Sequence, residues 1–225
     1  MILFNKEFLF VRFPIHLPIL YLSFLILFPQ HETFIIIFTL LILAEPHFGA
    51  TWPIFLNKVN HSYIAENKLK LIYGTLFVIL FCLLGFFYFQ YTFLLIFFAA
   101  NIFHVTRQSV GILKLYNKSN TINEMIQIIY FFGTLFFFIG LMRFYIPIII
   151  DDHLIFLNLF VCALFFIFII YLKIKKINLK DILTFVTGVI IFYPICFIDK
   201  PIHAIIMGVT MHYSQYLYFT YLINK

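Results

Sequence analysis

The chain has 225 residues, of which 64% are hydrophobic and 11% charged, and its mean hydropathy is +1.06. So much apolar surface cannot be hidden inside a soluble domain of this size; the composition excludes a water-soluble globule and leaves room for about seven or eight bilayer-crossing helices and little else. The net charge of +6 does not indicate nucleic acid, because the basic residues are scattered through short loops instead of forming a stripe, and basicity of that kind reports topology.

The predicted fold class is all-α: a polytopic membrane bundle of about eight helices forming a single transmembrane domain over residues 1–225. Spans are expected at 10–29, 33–56, 70–89, 91–113, 122–144, 153–172, 181–198 and 201–223. Lys6 and Arg12 precede an apolar run, but no small-residue cleavage site follows, so the first span is expected to be retained. Within it Pro14 and Pro18 bracket His16 and are expected to kink or break the helix.

The second span carries Glu45-Pro46-His47-Phe48-Gly49-Ala50-Thr51-Trp52-Pro53. Two prolines and a glycine weaken the helix, and broken helices at membrane depth are tolerated where they line protein or a cavity. His47 is therefore expected to project from a kink into a cavity. Glu45 is the one carboxylate deep in a span; it is expected to ligate a metal, orient a ligand histidine or pair with Arg107. In the fourth span Asn101, His104 and Gln108 share one helical face with Arg107 beside them, a polar stripe in an apolar helix. The eighth span carries His212 with Gln215 and Tyr216 on the same face and Gly208 four residues earlier, expected to clear room there. His203 faces the opposite side of that helix and is not expected to join His212; Asp199 is expected to cap the helix. His31 and His61 fall in loops, and His153 begins a span after Asp151-Asp152. Cys82, Cys162 and Cys196 lie in apolar runs without a CxxC pair and read as small core residues.

With the N-terminus in the cytoplasm, twelve basic residues fall on the cytoplasmic side and only Arg143 and Lys200 on the other, Arg107 being left out as lying inside its helix. This asymmetry supports eight spans with both termini cytoplasmic, as in a bacterial inner-membrane protein. On that topology His16, His47, His104 and His212 lie within roughly 5 Å of one plane, at 1.5 Å rise per residue. Hydrocarbon penalises polar side chains, so intramembrane histidines face the bundle interior and have partners. Several at one level suggest one shared metal ion: iron, copper or zinc. Asn101, Gln108, Arg107, Glu45, Gln215 and Tyr216 are then candidates to support the ligands.

Pro46-His47-Phe48-Gly49-Ala50 and the aromatic-histidine pair Phe103-His104 resemble motifs of the Brp/Blh family, bacterial membrane enzymes that cleave β-carotene to retinal. His212 corresponds to a histidine in that family's late helix. The resemblance implies an Fe(II) centre on His47, His104 and His212, O2 and a lipid-soluble polyene as substrates, and membrane lipids but no nucleic acid as surroundings. The chain departs from the family at Phe48, inserted in the first motif, at Val105-Thr106 after the second histidine, and at Tyr216, where the family has a second late-helix histidine; His16 is the candidate replacement ligand. Two other classes compete. One is another metal-dependent lipid-modifying oxidase, although no HxxxH or HxxHH cluster occurs. The other is a non-enzyme (a transporter, a haem-binding protein or an assembly factor).

Overall fold

A computed structural model describes residues 5–50, 57–117, 119–149 and 153–223. Every regular element among them is helical. In chain order the α-helices are α1 (His16–Leu27), α2 (Glu32–Thr39), α3 (Glu45–Gly49), α4 (His61–Tyr88), α5 (Gln90–Tyr116), α6 (Ile122–Gly140), α7 (Leu154–Ile174), α8 (Leu179–Ile190) and α9 (Pro201–Ile223). His61 is the first residue of α4, not part of a preceding loop.

Three π-helical turns interrupt the pattern: Phe8–Arg12 before α1, Leu40–Ala44 between α2 and α3, and Leu141–Tyr145 after α6. Each ends two residues before a proline, Pro14, Pro46 and Pro147. The cause is local. Proline donates no hydrogen bond, and its ring collides with the carbonyl four residues back, so the helix widens to accommodate it. At each site the residue after the turn donates its N–H five residues back: Phe13 to Phe8, Glu45 to Leu40, Ile146 to Leu141. The carbonyls left over before Pro14 are taken by side chains. Ser214 donates to Phe10 O at 2.8 Å, Gln215 Nε2 to Val11 O at 2.7 Å, and Thr187 to Arg12 O at 2.8 Å. The N-terminal turn is thereby fastened to α9 and α8.

Among the described residues five stretches are long and apolar enough to cross a membrane: Pro29–Gly49, His61–Tyr88, Gln90–Tyr116, Ile122–Tyr145 and Leu154–Ile174. The other three expected spans differ. The helix α1 has 12 residues and so does α8, which gives way to a 3₁₀ turn at Tyr193–Cys196. With 23 residues α9 is long enough, yet it lies at the centre of the fold and buries polar residues (His203, Thr210, His212, Ser214, Gln215) along with its apolar ones. In contrast, α4 buries no residue and α7 only Val161 and Leu172. Their exposed faces are Phe, Leu and Ile, a continuous apolar surface of the kind soluble monomers avoid.

The core is built on α5, α6, α8 and α9 around Phe98, Phe132, Phe136, Phe185 and Phe192. Close backbone approach depends on small residues, as in membrane bundles generally. A Cβ on Gly208 would lie 1.7 Å from the Ile191 carbonyl oxygen, and one on Gly140 2.3 Å from the Phe98 ring. The room at Gly208 thus admits the backbone after α8; it does not serve the His212 face, contrary to the expectation from spacing.

Candidate metal centre

The π-turn at Leu40–Ala44 adds a residue to the helix just before Pro46 and rephases α3. In this phase His47 points inward and is 5% exposed, whereas its neighbours Glu45, Pro46, Phe48 and Gly49 face outward. His104 comes from the middle of α5 and His212 from the middle of α9. Their ligand nitrogens lie within 4.8 Å of one another. The His47 and His212 ring centroids are 4.9 Å apart, inclined by 69°, and those of His104 and His212 are 6.0 Å apart at 87°. Two tyrosines complete the enclosure of His47: Tyr216 at 4.4 Å and Tyr213 at 5.1 Å between centroids.

These residues fit a metal ion. Both ring nitrogens of His212 and Nδ1 of His47 are buried without a hydrogen-bond partner. Each orphaned buried polar atom costs about 1–3 kcal/mol, and coordination relieves one nitrogen of each ring. Imidazole nitrogens around one tetrahedral ion lie about 3.4 Å apart, so side-chain adjustment on the order of 1 Å closes the set. Three imidazoles with no thiolate suit iron, copper, zinc or nickel, and the set leaves coordination positions open for a substrate.

The remaining expected residues separate into two groups. Asn101 and Gln108 lie on the His104 stripe, and their carbonyl oxygens are buried without partners. Gln215 is 1% exposed; its Nε2 is committed to Val11 O, so the residue clamps the N-terminal turn, while its Oε1 is unpartnered. Tyr216 packs on His47. His16 does not join the cluster: it is exposed at the start of α1, its ring against Phe10 at 6.2 Å. The break at Pro14 directs it away from the bundle interior. Glu45 is exposed and makes no ion pair with Arg107 among the described residues, because the π-turn that brings His47 inward carries Glu45 outward. Thr51, Trp52, Pro53, Asp151 and Asp152 lie outside the described residues.

Two cavities border α9. One, of about 680 Å³, runs between α1 and α2 and is lined by Leu20, Phe24, Phe34, Phe38 and Leu43 among others, with Thr210 on its α9 side. None of His47, His104 and His212 is in its wall, and Thr210, two residues before His212, lies on the other face of α9. The second, of about 400 Å³, is bounded by α5 and α9 and has His104, Arg107, Gln108, His212 and Gln215 in its wall.

A polar network that the sequence did not disclose lies at the other end of α9. His203 is 4% exposed; its Nδ1 meets the Tyr21 hydroxyl at 2.7 Å and its Nε2 meets Glu32 Oε1 at 2.8 Å, while Lys200 pairs with Glu32. The signal was present, since Glu32, Lys200 and His203 all begin spans on one side of the predicted topology. Asp199 pairs with Arg143 at 3.1 Å; capping of α9 is not its role.

No family model, curated protein or solved structure matches the chain.

Proposed function

We propose that this chain is a polytopic membrane protein that binds one metal ion, Fe(II), on His47, His104 and His212, and that it oxidises an apolar polyene with O2. The observation that carries this reading is the convergence of three imidazoles from separate helices to within 4.8 Å; the fold also holds an apolar groove of about 680 Å³ between α1 and α2. That volume is within the roughly 300–1,000 Å³ of small-molecule sites.

The groove supplies the chemistry's first requirement. Phe24, Phe34 and Phe38 offer a dry wall to an extended apolar chain. The metal, when bound, would activate O2. Tyr213 and Tyr216 hold the His47 ring in place and exclude water from it. The resemblance to the Brp/Blh enzymes specifies the reaction further: both oxygen atoms of O2 end on the two carbons of one cleaved double bond, so β-carotene gives two retinal molecules.

The topology of eight passes with both termini in the cytoplasm belongs to the same reading. It is supported by the way polar contacts sort into two sets. Arg12 with Asp181 and Tyr116, and Tyr171 with Glu124, fall at the end assigned to the cytoplasm. Arg143 with Asp199, Glu32 with Lys200 and His203, and Tyr91 with Tyr145 fall at the opposite end. A bacterial inner membrane is the expected location.

The test is expression in a carotene-producing bacterium. The cells should bleach and yield retinal, and His104→Ala should abolish both effects. Cells that keep their colour and contain no retinal would remove the carotenoid reading.

A further inference from the structure

Arg107 lies nine residues before the end of α5, about 14 Å into the helix at 1.5 Å per residue. Arg107 is exposed there, and a guanidinium exposed to hydrocarbon is costly without an anionic partner. Among the described residues Arg107 makes no hydrogen bond and no ion pair; Glu45, the one carboxylate expected to meet it, faces outward. Arg107 instead lines the 400 Å³ cavity between α5 and α9. In the same wall are His212, 2% exposed with both ring nitrogens unpartnered, and Gln215, 1% exposed with Oε1 unpartnered.

The lining is graded along the helices. His104, Arg107 and Gln108 on α5, and His212 and Gln215 on α9, make its polar end. One to two turns further, Ile112 and Leu115 on α5 and Phe219 on α9 make its other end apolar. A small hydrophilic anion has no reason to pass such a mouth. An amphiphile entering head first matches both ends.

We propose that this cavity binds the ionised carboxylate of an apolar acid, a free fatty acid, with the head on Arg107 beside the imidazole cluster and the chain along Ile112, Leu115 and Phe219. Arg107 supplies a planar pair of donors that match a carboxylate. Gly111 keeps the wall open between head and chain. Metal is not required for this contact, and the site is distinct from the groove between α1 and α2.

The test is photolabelling of the purified chain in phosphatidylcholine nanodiscs, after metal removal by a chelator, with a diazirine derivative of decanoic acid. Metal removal makes the result independent of whether the cluster holds iron. Labelling should be saturable and map to peptides containing residues 111–115 or 216–219. Unlabelled decanoate should compete, whereas decanol, a small 2-oxo acid and phosphatidylglycerol should compete at least about tenfold less well. Arg107→Gln should raise the half-saturation concentration at least about tenfold, the effect of one charge-assisted contact, and Arg107→Lys should recover most of it. Leu115→Trp, which keeps the charge and fills the mouth, should abolish labelling. Equal competition by decanol, by the 2-oxo acid or by phosphatidylglycerol would overturn the proposal. So would wild-type labelling of Arg107→Gln.

Discussion

At the scale of single residues, burial and satisfaction of polar atoms separate ligands from bystanders. Eight histidines are present, and position along the chain gave four candidates at one depth. The structure joins three of them, and the reason is rotational. Depth comes from counting residues, but the direction of a side chain depends on the helix phase, which prolines alter. His16 lies just past Pro14 and is turned outward; His47 lies just past Pro46 and is turned inward. Tyr216 is the informative exception to the resembled motif. Its ring centroid is 4.4 Å from that of His47, so an imidazole at this position is within reach of the same ion. Tyr216→His is expected to tighten metal binding by about tenfold or more, an effect read by competition with a chelator of known affinity. Unchanged or weakened binding would show that position 216 does not address the ion.

At the scale of elements, the three π-turns decide the site. Hydropathy and spacing disclosed that the second span is broken and that His47 projects from the break, because proline chemistry is local. They placed His47 inward but did not disclose that Glu45 turns outward, because a single additional residue rotates the downstream helix by about 100°. Pro46→Ala restores a donor that can bond the Ile42 carbonyl and thus favours a regular helix. The expected outcome is loss of at least about tenfold in metal affinity with little change in thermal stability, measured by metal titration and melting in detergent. Retention of full affinity would mean that the turn does not set the His47 phase. The short helices α1 and α8 were illegible as such: their sequences are apolar enough for spans, and only the fold, in which α1 packs on α9 and α8 on α5 and α6, reveals that each stops after 12 residues.

At the scale of the whole molecule, composition was sufficient for the class. An all-α chain in which α4 buries no residue and exposes Phe, Leu and Ile is consistent with a membrane protein, as the hydrophobic content implied. For the network on His203 the sequence offered only a shared side of the topology for Glu32 and Lys200; the contacts themselves join residues 182 and 171 positions apart and needed the fold. Topology is open to direct measurement. In a background lacking Cys82, Cys162 and Cys196, a cysteine replacing Lys175 is expected to react with an impermeant thiol reagent only from the cytoplasmic side. One replacing Lys200 should react only from the opposite side. Labelling of both from one side would exclude the eight-pass arrangement.

The most direct measurement is the metal content of the chain purified without chelator. One iron per chain is expected, falling below about a tenth of that in each of His47→Ala, His104→Ala and His212→Ala, but retained in His16→Ala. A metal-free wild type after anaerobic purification and Fe(II) addition, or equal metal in the three alanine variants, would contradict a shared centre on these imidazoles.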